Sequence, residues 1–296
     1  MSPSVSRRHA WPAILAVLVI GLAGCARESL SPPPAEAEAS RASTAAPQWG
    51  HVHSVALDGD QLLVGTHDGL WQLMPGRPAE MLSTQRFDVT GLTVDGRAVL
   101  ASGHPGPEQR LPAELGLGLS PDGGRHWTSV SQLGRVDFHD LTSAGSVILG
   151  LSAADGQTLR SDDGGRTWTS LGRQQLTDLA VNASYPKQVL ATADGGLLVS
   201  ASGGRSWVPV AGAPGLALVT WAGTSVYGVT PEGAVYRSVD AGGTWARVGS
   251  VPGQPEAVTG DGTRLVVVAA DQILQSTDGG ATFTTLVDGV GTASAE

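Results

Sequence analysis

Five histidines and a few carboxylates are the residues of this 296-residue chain whose types and spacing could do chemistry. His51 and His53 stand two apart, which puts both side chains on one face of a strand, and His67, His104 and His139 follow. Imidazoles gathered from separate strands, with Asp68, Asp88, Asp137 and Asp140 close to them in sequence, make the ligand set that zinc or copper takes. The same histidines could instead line a polar channel and bond water or a neighbouring strand. No contiguous motif such as H-E-x-x-H decides between these readings. Arg86, Arg135 and Arg173 form a second set, since three guanidinium groups around one pocket would fork onto a carboxylate or phosphate. Asp88 and Asp137, two residues beyond the first two arginines, could also simply pair with them.

The elements that must position these groups announce themselves by a recurring turn. Ser161 to Trp168 reads SDDGGRTW, and the pattern S-x-D-x-G-x-T-W returns from Ser120, Ser200, Ser238 and Ser276, with successive starts 41, 39, 38 and 38 residues apart. A period near forty means a repeat architecture. In a tight hairpin the Ser and the Asp (Asp122, Asp163, Asp240, Asp278) bond backbone groups left unpaired by the turn. The glycines supply the positive φ. The closing aromatic (Trp127, Trp168, Trp207, Trp245, with Phe283 in the last) offers a large ring to the neighbouring repeat. Ser202 replaces the Asp in the third turn and His126 the Thr in the first.

Six apolar stretches open the repeats, from Val52, Val89, Phe138, Leu176, Leu216 and Glu256, and each is followed by further short strands. Four strands per repeat, six times over, predict an all-β, six-bladed β-propeller. A seventh blade would need a repeat from residues 26 to 48, which lack one. The start of each inner strand and the turn between the second and third strands share one face, and the recurring turns share the other. All five histidines fall on the first face. The second and third inner strands are 49 residues apart, and the surplus runs from His104 to Glu114 on that same face, as a lid or a passive insertion.

The eight-residue turn is the Asp-box. Over roughly residues 51 to 288 the chain resembles the Asp-box (BNR-repeat) propellers called sialidase-like or glycosyl-hydrolase-like. The runs HVHSVAL, THDGLW, ASGHPGPE and VDFHDL resemble signatures of their bacterial lipoprotein branch. In fold the resemblance extends to sortilin-type receptors and photosystem assembly factors. It implies a scaffold and leaves function open, because enzymes and binding proteins share the box. Sialidase chemistry needs a tyrosine nucleophile, and among Tyr185, Tyr227 and Tyr236 only Tyr227 is placed as a candidate. The Arg-Ile-Pro type opening of true sialidases is absent. A two-carboxylate hydrolase could draw on Asp68, Glu108, Glu114 or Asp137.

Residues 1–25 read as a lipoprotein signal peptide. Arg7-Arg8 precedes an apolar run from Ala13 to Leu22 that is too short to span a bilayer, and Leu22-Ala23-Gly24-Cys25 resembles a lipobox with the only cysteine of the chain. Lipidated Cys25 would anchor the protein to a membrane. Loss of two arginines with the leader deepens the net charge from −9 to −11, which excludes nucleic acid as a partner. Residues 26–48 read as a disordered tether, 49–290 as the propeller and 291–296 as a tail. The sequence therefore predicts an extracytoplasmic, lipid-anchored binding or assembly module acting through a histidine-rich channel face, with zinc or copper as candidate cofactor and an envelope protein or glycan as candidate partner. Two alternatives stay open: a sialidase-like glycoside hydrolase, and a protein-docking platform with neither metal nor catalysis.

Overall fold

Short apolar runs punctuated every few residues by glycine-bearing turns can only be buried as meanders of short strands, and this chain builds six of them. In the computed structural model, which describes residues 44–45, 50–83, 85–96 and 98–291, each blade is a four-stranded antiparallel sheet ordered as in sequence. Blade one comprises Val52–Asp58, Gln61–Thr66, Gly69–Leu73 and Glu80–Met81, and blade two Phe87–Asp95, Ala98–Pro105, Leu117–Ser120 and Thr128–Ser131. Blade three comprises Phe138–Ala144, Val147–Ser152, Gln157–Ser161 and Thr169–Arg173, and blade four Leu176–Val181, Val189–Ala193, Gly196–Ser200 and Val208–Pro209. Blades five and six begin at Leu218 and Pro255, and end at Ser250 and Asp288. The expected all-β propeller of six blades is borne out, and no helix occurs among the described residues.

The core lies between blades rather than within them. Both faces of the second strands are covered, so Leu62, Leu63 and Val64 are all buried. Six apolar clusters fill the six interfaces, and the one joining Val52, Val55 and Val64 of blade one to Val266, Val268 and Ile273 of blade six closes the ring. A short strand, Thr44–Ala45, adds in parallel to the outer edge of blade six opposite Val287 and Asp288. The leader, Cys25, the rest of the expected tether and residues 292–296 lie outside the described residues.

The recurring turns owe their shape to local hydrogen bonds. The Ser161 Oγ accepts from the Gly165 amide at 2.8 Å, while Asp163 accepts from the Thr167 amide at 2.9 Å and its hydroxyl at 2.7 Å. In the first turn the His126 Nδ1 takes the hydroxyl's place on Asp122 at 2.6 Å. In the third, Ser202 accepts from the Ser206 amide at 2.9 Å in the missing aspartate's stead. Each closing aromatic packs into the interface with the preceding blade. Trp168 lies in the cluster between blades two and three, and its Nε1 donates to Gly165 O at 3.0 Å and to Ser131 Oγ of blade two at 2.9 Å.

These bonds hold the Asp163 carboxyl at about 2, chiefly through the Thr167 hydroxyl and amide, and the Asp240 carboxyl at about 2 through the Thr244 amide and hydroxyl. Both lie below the unfolded value of about 3.9, so their stabilisation is complete above about pH 4 and is lost as pH falls through about 2. Asp163→Asn is therefore expected to destabilise the chain at pH 6 and to differ less from wild type near pH 2.5. Chemical unfolding at the two pH values checks this, and an unchanged difference contradicts it.

Candidate metal site at the channel mouth

Five blades carry a β-bulge at the same point of the inner strand. The register skips one residue between Val52 and Ser54, Val89 and Gly91, Phe138 and Asp140, Leu176 and Asp178, and Pro255 and Ala257. The skipped residues are His53, Thr90, His139, Thr177 and Glu256. A bulge re-aims the side chain it carries, and His53, Thr90, His139 and Glu256 line one cavity of about 280 Å³ at the channel mouth, together with His51 and Gln254. Below it a channel cavity of about 580 Å³ runs between the inner strands. In an antiparallel meander the recurring turns fall at the opposite end.

His53, His67 and Asp88 converge from the inner strand of blade one, its second turn and the inner strand of blade two. His53 Nε2 and His67 Nδ1 are 3.3 Å apart. Asp88 Oδ1 is 3.2 Å from the first and Oδ2 is 3.1 Å from the second. Oδ1 is buried and has no hydrogen bond of acceptable geometry. Burial works to raise the Asp88 carboxyl, but the contact of His53 Nε2 with it, then the charges of His53 and His67 and the contact of His67, outweigh burial and leave the carboxyl below the ordinary range.

His104, Asp137 and His139 form a second group, from the end of the second strand of blade two, the loop before blade three and the bulge of blade three. Asp137 Oδ2 is 3.2 Å from His104 Nε2 and 2.7 Å from His139 Nε2, while Oδ1 accepts from the Thr90 hydroxyl at 2.7 Å. Asp137 is only 3% exposed. Burial raises its carboxyl, and the bonds from His139 and Thr90 with the charges of His139 and His104 bring it below the usual range. The hydrogen bond to Asp137 raises His139 in turn. His104 Nδ1 lies 2.9 Å from Ala113 O. A carbonyl can only accept, so Nδ1 carries the proton, and in neutral His104 the Nε2 lone pair faces a carboxylate oxygen. Two lone pairs at 3.2 Å need a proton or a metal between them.

The insertion thus supplies an orienting group to His104. It is pinned across its gap, Gly116 donating to Val136 O at 3.0 Å and Gly134 to Glu114 O at 2.7 Å. Gly103, before His104, has φ +154°, and a methyl there would sit 1.7 Å from the Asp88 carbonyl oxygen. Only glycine lets the two strands approach so closely.

The remaining sequence candidates join neither group. His51 packs edge-on to His53, with ring centroids 5.0 Å apart, and its Nδ1 faces Glu256 at 3.7 Å. Asp68 is exposed, in the turn after His67. Arg86, Arg135 and Arg173 are exposed and line neither cavity. Arg173 ends the outer strand of blade three opposite Gln157 rather than opening blade four. Tyr227 is buried between blades five and six, with the Arg237 guanidinium 5.7 Å above its ring. Glu256 and Thr90 escaped the sequence reading, although each occupies the bulge position equivalent to His53. So did Asp178, which lines the larger channel cavity with Asp140, a carboxylate the sequence had placed near the histidines. Burial raises both carboxyls above the ordinary range, and the charge of Asp178 adds to the effect on Asp140.

No family model and no curated protein matches the chain. Solved structures match it in three dimensions. A chain of the nidogen/laminin complex aligns at TM-score 0.61 with 12% identity, covering 77% of this chain and 93% of that one. The GH74 xyloglucanase from Xanthomonas campestris aligns at 0.57 with 18% identity over 82% of this chain, which spans only 46% of the xyloglucanase. YCF48 bound to D1 peptide aligns at 0.51 with 15% identity, over 83% and 84%. At these identities the likeness carries the fold alone: what the chain shares with all three is the β-propeller architecture.

Proposed function

We propose that this chain is an extracytoplasmic binding module of the Asp-box, sialidase-like kind, anchored by lipid on Cys25, whose channel mouth holds zinc or copper. One observation carries the reading. His53 Nε2 and His67 Nδ1 are 3.3 Å apart, and Asp88 brings one carboxylate oxygen within 3.2 Å of the first and the other within 3.1 Å of the second, while ligands about 2.0–2.1 Å from a tetrahedral zinc stand about 3.3 Å from one another, so the group can close on an ion through either oxygen. A buried carboxylate oxygen is costly unless a proton donor or a cation completes it, and Asp88 Oδ1, which has only His53 Nε2 beside it at 3.2 Å and no well-aligned hydrogen bond, is placed to take either. Three protein ligands leave a position open, which suits binding of a further molecule at the ion. The test is elemental analysis of the tag-free chain after dialysis against zinc and copper in turn. Near-stoichiometric retention of one of them supports the reading, and no retention rejects it.

The anchor is tested separately. Cys25→Ser is expected to move the protein from the detergent phase to the aqueous phase in detergent partitioning, because the acyl chains supply the membrane affinity. Equal partitioning of wild type and variant contradicts lipidation. The sialidase-like alternative loses support from Tyr227, which lies between blades and away from the mouth. The docking alternative draws on the fold it shares with peptide-bound YCF48, and gives no role to the two three-residue ligand groups at the mouth.

A further inference from the structure

We infer that the mouth holds two metal ions side by side, and that the pair binds a tetrahedral oxyanion of the phosphate class across them. The inference rests on the metal-site reading above and adds to it the number of ions and the chemistry of the ligand. The histidines do not form one cluster. His53, His67 and Asp88 make one three-ligand group and His104, Asp137 and His139 another, with no residue in common. The second group is likewise shaped for a cation, since the Ala113 carbonyl takes the His104 Nδ1 proton and aims Nε2 at the Asp137 carboxylate, where a metal ion can take the place a second imidazole proton would fill.

The two groups are neighbours. Asp88 of the first and His104 of the second are direct cross-strand partners in blade two, and such partners hold their Cβ atoms about 4.5–5.5 Å apart on one face. Thr90, two residues along the strand from Asp88, donates to Asp137. His53 and His139, one from each group, line the same cavity.

Charge then selects the ligand. Two divalent ions, four neutral imidazoles and two carboxylates leave two positive charges in a small cavity of an otherwise acidic protein. Each ion keeps at least one open position. Glu256 faces the same cavity and takes up one of these charges, so one positive charge remains for the ligand. A tetrahedral oxyanion can give one oxygen to each ion and neutralise the excess, as in two-metal clamps on phosphoryl groups.

The test uses the full chain, stripped and reloaded with zinc, then freed of excess metal. Elemental analysis is expected to give two zinc ions per chain in wild type. It should give one in His104→Ala/His139→Ala and one in His67→Ala, with circular dichroism confirming that the exposed-site variants fold. Calorimetric titration with inorganic phosphate should show one phosphate per wild-type chain, bound at least about tenfold more weakly by either one-ion variant, because a charge-assisted contact is lost. A single zinc in wild type that survives in His104→Ala/His139→Ala overturns the two-ion claim while leaving the metal-site reading intact. Two ions with equal phosphate affinity in all three proteins, or with no phosphate bound, overturn the bridging claim. No zinc at all overturns both readings together.

Discussion

Replacing His53, His67 and His139 together by alanine is expected to abolish stoichiometric zinc or copper binding and the gain in thermal stability that comes with it. Two of the imidazoles come from the first ligand group and one from the second, so the first keeps no histidine and the second only His104. An ion that binds only the folded chain stabilises it by about 2.7 kcal/mol when present at a hundred times its dissociation constant. For a domain of this size each kcal/mol moves Tm by about 2–4 °C, so wild type should gain about 5–10 °C on metal addition and the variant nothing. Each protein is compared with its own metal-free form, because the variant also removes histidine partners of Asp88 and of buried Asp137 and should melt lower without metal. Elemental analysis and thermal denaturation with and without metal check both halves. A variant that keeps its metal and its shift contradicts the assignment.

Trp168→Ala should cost the most stability of any single change at a recurring turn. The ring stacks on Phe138 with centroids 4.7 Å apart and lies between blades two and three beside Leu117 and Ile148. Its Nε1 ties the turn at Gly165 to Ser131 of the preceding blade. Truncating a packed tryptophan costs about 3–5 kcal/mol, which corresponds to a fall in Tm of about 10 °C here. Trp168→Phe keeps the stacked ring, loses the two hydrogen bonds and should fall by less than half as much. Both are read by calorimetry. A drop under about 2 °C for the alanine variant would mean that the inter-blade contacts do not hold the ring of blades together as described.

The scaffold was legible in the sequence because its chemistry is local. A serine oxygen reaching an amide four residues on, an aspartate reaching the same distance, and two glycines between them need nothing from the rest of the chain, so the turn from Ser161 repeats wherever its residues do. Even the worn copies keep the pattern, since His126 and Ser202 supply equivalent bonds. The mouth was only partly legible. His53 and His139 stood out by residue type, whereas Thr90 and Glu256 gain their significance from bulges that point them into one cavity, and a bulge depends on the partner strand. The division of the histidines into two groups likewise depends on Asp88 facing His104 across a strand pair, which no spacing along the chain reveals. The three arginines show the opposite failure. Three guanidinium groups suggested one anion pocket, but Arg173 belongs to the outer strand of blade three, and none of the three lines the mouth.

What surrounds a metal ion at the mouth decides whether the histidines are ligands. The most direct measurement is X-ray absorption at the metal edge of the zinc-loaded, tag-free full-length chain. The account predicts a first shell of nitrogen and oxygen at about 2.0–2.1 Å, with the outer-shell scattering of two imidazoles per ion, both features disappearing in the His53→Ala/His67→Ala/His139→Ala variant. A shell of oxygen alone, a spectrum unchanged in that variant, or no zinc retained to measure would contradict it.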